Sequence, residues 1–272
     1  MAPGRRVYAV GDIHGRLDLL DDILARIDAD HAARPPAERH LVFLGDLVDR
    51  GPDSAGVVER VRLLAAADPH VHCLMGNHEE IFLRAIDGDD KALRLFCRIG
   101  GRETLISYGV SAEDYERLDY AEVADRLNAR VPVAHRDFLA GLQEILIMGD
   151  YVFVHAGIRP GVPLSEQKPA ETRWIRDPFL DHRAPLERWS SMVTPWPKRR
   201  RCCLIEIGID TGAYHSDRLT ALMLEDATRH VFLPDGSLPR RNVCRGIPFS
   251  GKAHYKPFRG KVMLHCRIGV GA

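Results

Sequence analysis

"HLVFLGDLVDRG", residues 40–51, runs from four consecutive apolar residues straight into Gly45, Asp46, Asp49, Arg50 and Gly51. An apolar run this short, with no polar alternation, reads as a strand buried on both faces, and the glycines permit the tight turns around its end. Three further stretches follow the same plan: "VYAVGDIHG" (7–15), "VHCLMGNHEE" (71–80) and "YVFVHAG" (151–157). Between them the apolar spacing turns helical over 17 to about 29 and over 54 to about 67, with more helical stretches through the 80s and 90s. "ILIMGDYVFV" (145–154) predicts a hairpin turning at Gly149-Asp150, and "IEIGID" (205–210) and "RLTALMLE" (218–225) predict two more strands. Strands and helices mixed in this order define an α/β layered domain, which we place at 1–235. The mainly helical segment at about 82–142 is expected as a cap. Beyond Gly236 there are eight Lys or Arg and no Asp or Glu, so 236–272 reads as a basic tail to which composition assigns no fold.

A chain of 272 residues suits one large domain with a substantial core. Basic and acidic side chains balance at 38 each, so no global field draws the chain to nucleic acid or to an anionic membrane, and neither is expected as a partner. No apolar run approaches the length of a bilayer span, and "MAPGRRVYAVGDIHG" enters a strand too early for a signal peptide. Cys73, Cys97, Cys202, Cys203, Cys244 and Cys266 show no spaced disulfide framework. The expectation is a cytoplasmic protein with free thiols.

The four strand-end clusters carry Asp12 and His14, then Asp46, Asp49 and Arg50, then Asn77 and His78, then His155. In a layered α/β domain such loops converge on one edge of the sheet, where sites are built. Asp, His and Asn together offer hard oxygen and borderline nitrogen ligands, which suit manganese, iron or zinc better than thiophilic ions. The D-x-H spacing of Asp12 and His14 predicts two side chains on one extended segment pointing toward one ion. Taken singly, a Gly-Asp is usually a turn and a histidine after a strand is usually a satisfied polar residue. Four such clusters in series, each closing an apolar strand, are not explained by turns.

"GDIHG", "GDLVDRG", "GNHE" and "HAG" resemble the signature blocks of the phosphoprotein phosphatase family of metallophosphoesterases, in its bacterial serine/threonine phosphatase branch, from about Val7 to Leu224. The resemblance implies a calcineurin-like β-sandwich flanked by helices, holding two divalent metal ions, most naturally manganese with iron or zinc as alternatives. It implies that Asp12 and His14 bind the first ion, that Asp46 bridges both, and that Asn77 and His155 bind the second. His78 would be the general acid, oriented by Asp49, and Arg50 would hold phosphate oxygens, with Arg176 in "RWIRDPF" as a further clamp. The expected substrate is a phosphorylated protein or a small phosphomonoester. Sibling enzymes of this fold that hydrolyse dinucleoside polyphosphates are similar, but lack the Asp before Arg-Gly and close the third block with Asp. Asp49 and Glu79 therefore favour the phosphomonoester branch.

The family has one more metal-binding histidine, in a "GHTP" block, and here "SSMVTPWP" stands in its place with Val193 at the histidine position. The surrounding stretch "ERWSSMVTPWPKRRRCC" (187–203) holds two of the three tryptophans and two of the six cysteines. Three readings compete: a phosphate- or metal-binding pseudo-phosphatase that lost the ligand, a new basic element, or a pair of reading-frame errors. The genetic code favours the last. Taking the final base of each codon with the first two of the next, the run from Trp189 to Pro195 can read Val-Val-His-Gly-His-Thr, and the Gly encoded across Met192 and Val193 is forced. By the same shift Cys203 to Glu206 can read Pro-Asn-Arg. We therefore read about 182–206 as frame-shifted, and neither Lys198–Arg201 as a nucleic-acid patch nor Cys202-Cys203 as a metal site.

Overall fold

The structure is a computed structural model that describes residues 1–182, 205–226, 228–232 and 262–265. Its strands are β1 (Arg5–Val10), β2 (Glu38–Phe43), β3 (Val71–Cys73), β4 (Ile145–Met148), β5 (Tyr151–Val154), β6 (Ile205–Gly208), β7 (Ala221–Glu225), β8 (Thr228–Phe232) and β9 (Val262–His265). They form two sheets, ordered β3-β2-β1-β7-β8 and β4-β5-β9-β6. β1, β2 and β3 run parallel, so their C-terminal ends share one edge. β7 lies antiparallel to β1, with Tyr8 opposite Met223. β4 and β5 make the expected hairpin, with Met148 paired to Tyr151 across Gly149-Asp150.

Side chains of β1 alternate in direction, and both directions are buried, which is why the strand reads as an unbroken apolar run. Val7 and Ala9 join Val42, Leu44, Phe153 and Leu222 in the layer between the sheets. Tyr8 and Val10 face the other way, into a larger core with Phe43, Leu20, Val57, Phe82 and Phe96. Val152 and Val154 on the outer face of the second sheet pack with Ile158, Ile175 and Phe179. The result is helices, sheet, sheet, helices: a β-sandwich flanked on both sides, as the family resemblance implies. Burying each large apolar side chain in such layers stabilises the fold by about 1.5–3 kcal/mol.

The helices on the larger core are α1 (Leu17–Ala32), α2 (Ser54–Ala67), α3 (Asn77–Ile86), α4 (Asp90–Ile99), α5 (Gly101–Ser107), α6 (Ala112–Tyr115), α7 (Tyr120–Arg130) and α8 (Val133–Ala140). α1 runs three residues beyond the helical period read from the sequence, and α2 begins where Asp53 accepts a hydrogen bond from the Gly56 N–H at 2.7 Å. The segment expected as a cap is no separate layer. Phe82, Leu93, Phe96, Leu105 and Leu127 share one core with Tyr8 and Phe43, because their apolar faces have the first sheet to pack against. Short helices α9 (Pro169–Trp174), α10 (Asp177–Leu180) and α11 (Ala213–Ser216) complete the described set.

The tail is also corrected in part. Val262–His265 forms β9, parallel to β5 on one side and to β6 on the other, where composition assigned no fold. The remainder of 236–272 and the stretch 183–204, which holds almost all of the frame-shifted segment, lie outside the described residues. Among the described residues no helix is long and apolar enough to cross a membrane.

Candidate active site

The four strand-end clusters meet at the C-terminal edge of β1, β2 and β3. Asp12, His14, Asp46, Asp49, Asn77, His78 and His155 are all buried. The loops approach closely: a Cβ on Gly45 would lie 2.6 Å from the Gly76 nitrogen, and one on Gly76 would lie 2.2 Å from Asp46 Oδ1. His14, Asp46, Asp49 and Arg50 all adopt positive φ, between 46° and 72°. Each such conformation costs a non-glycine residue on the order of 1–3 kcal/mol and persists only where surrounding contacts over-determine it.

Glu79 supplies much of that determination, and the sequence offered it only as a branch marker. Its carboxylate accepts the backbone N–H groups of Asp46 (2.8 Å), Leu47 (2.7 Å), Val48 (3.2 Å) and Gly76 (3.0 Å). Burial and the neighbouring Asp46 charge push its pKa up to about 7, and the backbone donors oppose them. Glu79→Ala would leave four buried N–H groups without an acceptor. It is expected to lower the unfolding free energy by on the order of 3 kcal/mol or more in chelator, read from urea denaturation. A loss below one-third of that would show that the loop holds its shape without Glu79.

Asp46 is the centre. Its Oδ2 lies 3.5 Å from His14 Nε2, and its Oδ1 lies 3.5 Å from His155 Nε2 and accepts the His78 backbone N–H at 3.1 Å. Burial raises its pKa, while the surrounding His155, His78 and His14, where those rings are protonated, and the His78 backbone N–H lower it below the usual carboxylate range. His14 Nδ1–H donates to the Val48 carbonyl (2.8 Å) and His155 Nδ1–H to the Leu44 carbonyl (2.8 Å), so each ring turns the lone pair of Nε2 toward Asp46. Burial and the nearby His78 press the His14 pKa far down, which keeps it in the neutral, ligating form. His155 Nε2 also meets Asn77 Oδ1 at 3.0 Å. Lone pairs and carboxylate oxygens converging at this spacing form an oxygen–nitrogen donor set that fits divalent cations.

Ligand atoms of Asp12, Asp46 and His155 lie within 4.8 Å of one another, and so do those of His14, Asp46 and His78. Asp46 belongs to both groups, with Asp12 and His155 in one and His14 and His78 in the other. β1 ends at Val10, and the His14 N–H turns back to the Asp46 carbonyl at 2.8 Å. With φ at 46°, His14 is not on an extended segment, unlike the expectation from the D-x-H spacing.

His78 Nδ1–H donates to Asp49 Oδ2 at 2.7 Å, while Asp49 Oδ1 accepts from the Thr104 hydroxyl at 2.7 Å. Burial disfavours the imidazolium of His78, but the carboxylates of Asp46 and Asp49 outweigh it and raise its pKa above the ordinary value. A raised pKa keeps His78 protonated to higher pH, so acid-dependent turnover is lost only as pH rises through that raised value. Asp49→Asn removes one of the supporting charges. The alkaline limb of the pH–rate profile should move to lower pH, and an unchanged limb would detach Asp49 from His78.

Arg50 extends its fork over the cluster, with Nη1 3.0 Å from His14 Nε2 and Nη2 3.0 Å from His78 Nε2. Its guanidinium lies 4.8 Å above the ring of Tyr214, which also meets the His14 ring edge-on at 5.5 Å. Tyr214 sits on α11, far from the blocks in sequence, and no local pattern marked it. Arg50 and Tyr214 line a cleft of about 610 Å³ together with Arg16, Asp18 and Asp53. Arg176 does not join the site: it is exposed at the start of α10, and no contact brings its side chain to Asp46.

A sandwich of this topology with buried Asp and His loops at one edge defines a metallophosphoesterase, and the family comparison agrees. The model for calcineurin-like phosphoesterases matches residues 5–204, so the chain belongs to that family. It is similar to "Bis(5'-nucleosyl)-tetraphosphatase, symmetrical" of Dechloromonas aromatica (strain RCB), 31% identical over 153 residues, covering 56% of this chain and 44% of that one. The protein of the same name from Paracidovorax citrulli (strain AAC00-1) is 30% identical over 181 residues, covering 66% and 50%. That from Janthinobacterium sp. (strain Marseille) is 40% identical over 153 residues, covering 56% and 44%. The chain spans about half the length of the curated relatives it matches. These names belong to the dinucleoside polyphosphate class, and not to the serine/threonine phosphatases that Asp49 and Glu79 favour on sequence.

Proposed function

We propose that the chain is a metal-dependent hydrolase of dinucleoside polyphosphates. The observation that carries this reading is the convergence of the Asp12, His14, Asp46, Asn77 and His155 donors on one buried centre, in a chain whose relatives are named for that reaction. When bound, a pair of divalent ions polarises the phosphoryl group and lowers the pKa of a bound water. Asp46 presents one oxygen to each side of the centre, with His14 on one side and His155 on the other. The oxygen–nitrogen donor set suits manganese, with iron or zinc as alternatives. Arg50 offers a planar fork matched to phosphoryl oxygens. His78, backed by Asp49, points Nε2 into the site, where it can give a proton to the departing oxygen. The cleft beside Arg50 has the volume of a small-ligand site, and Tyr214 offers an aromatic face within it.

A second reading, phosphomonoester hydrolysis on phosphoserine or phosphothreonine, is favoured by the Asp49–His78 pair. An alkoxide is a poor leaving group and needs a proton, whereas a nucleotide phosphate departs readily without one. The two readings separate on rates with manganese present. Turnover per unit concentration should be higher on bis(5'-adenosyl) tetraphosphate, with two equal halves as products, than on a phosphothreonine peptide. The reverse order would sink the proposal in favour of the second reading.

The His78→Asn variant adds a finer test. Removing the acid should cost roughly 10²–10⁴-fold on alkyl phosphates and less on substrates with good leaving groups, such as aryl phosphates or the tetraphosphate. Equal losses on all of them would take the acid role away from His78.

A further inference from the structure

A second cluster of metal-ligating side chains lies at the opposite edge of the first sheet, where β2 and β3 begin. Glu38 and His40 alternate with Val42 along β2, and His70 and His72 flank Val71 at the start of β3. His40 Nε2 lies 3.1 Å from Glu38 Oε2, and His70 Nε2 lies 3.4 Å from Glu38 Oε1. Ligand atoms of the three residues all lie within 4.8 Å of one another. Tetrahedral ligands 2.0–2.1 Å from a zinc ion sit about 3.3 Å apart, and each imidazole already lies near that distance from one of the two Glu38 oxygens.

The surroundings support the same arrangement. His40 Nδ1 faces His72 Nε2 at 3.4 Å, with the two rings stacked at 5.7 Å. A proton held on His40 Nδ1 by that contact leaves the lone pair of His40 Nε2 facing Glu38, which is how an outer partner fixes the tautomer of a ligating histidine. Glu38 and His70 are 39% and 42% exposed, so an ion can enter from solvent and a water can complete its coordination. Arg5 Nε also contacts Glu38 Oε2 at 2.8 Å and competes for it, while Oε1 remains turned toward His70. Asp68, 3.6 Å from His70 Nδ1, adds negative charge behind that ring.

We propose that Glu38, His40 and His70 form a zinc-class metal site, separate from the catalytic centre, that clips the start of β2 to the start of β3. Two imidazoles and one carboxylate with an open fourth position suit a borderline divalent ion over manganese or magnesium. Five residues separate His40 from Asp46, three of them in extended strand β2, and no residue belongs to both this group and the groups around Asp46.

The test counts zinc on the full chain dialysed against a zinc buffer at fixed free zinc, for the parent and for His70→Ala. The variant should hold one ion fewer and bind zinc at that position on the order of 100-fold more weakly or worse. Its phosphoesterase rate should match the parent, because His70 lies outside the catalytic loops. Should His70→Ala lose its fold by circular dichroism, Glu38→Gln repeats the count at an equally exposed position. An unchanged zinc count in the folded variant overturns the proposal, and so does a lost ion accompanied by lost activity, which would place that ion in the catalytic centre.

Discussion

Asp46→Asn is expected to empty both catalytic metal positions and to reduce turnover by on the order of 10³-fold or more, since a bound metal supplies several kcal/mol of transition-state stabilisation and each 1.36 kcal/mol is tenfold in rate. The argument rests on where the two oxygens point. Oδ2 faces His14 and Oδ1 faces His155, so one side chain contributes to both ligand groups. An amide keeps the size and much of the hydrogen bonding but removes the charge, and its NH₂ would face a histidine lone pair. Elemental analysis of protein loaded with manganese gives the count. Manganese is chosen because a site rich in imidazole binds it weakly, so the Glu38 cluster contributes little. Loss of a single ion would assign Asp46 to one position only and would break the bridging role.

The loops of the candidate site are legible in the sequence because each lies directly after a strand that can be recognised on its own. A parallel arrangement then brings strand ends together whatever the intervening helices do. What the sequence does not carry is the direction of each side chain once the chain leaves the strand. His14 lies in a left-handed conformation that a D-x-H spacing cannot reveal, and Asp12 comes within ligand distance of His155 from the second sheet. Glu79 is invisible for a related reason: its four partners are backbone groups of another loop. Tyr214 reaches His14 from two hundred residues away in sequence, and only the β7–β1 pairing makes them neighbours. The helical segment at 82–142 reads as a cap because its own periodicity shows an apolar face but not what that face covers. Arg176 illustrates the converse. Its neighbours Ile175 and Phe179 are buried against the second sheet, and that packing leaves the arginine itself on the surface.

A chain in which 189–206 is replaced by its alternative-frame translation is expected to bind the second catalytic ion tightly and to turn over substrate orders of magnitude faster than the chain as it stands. The donors that the structure brings to the His155 side are Asp12, Asp46 and Asn77. The family resemblance implies one more histidine there, from the block in which Val193 now stands. Three or four protein donors still hold a divalent ion, with water completing the coordination, but each lost ligand weakens the grip. The present chain should therefore need millimolar manganese and recover only part of its rate. Val193→His alone should recover less than the full replacement, because a ligating imidazole must be aimed by the loop and by an outer hydrogen-bond partner, whose removal alone costs about 10–100-fold. The measurement is a manganese titration of turnover on bis(5'-adenosyl) tetraphosphate for the three chains side by side. Equal manganese requirement and equal maximal rate in the present and replaced chains would defeat the frame-shift account and leave residues 189–206 as a genuine part of a working enzyme.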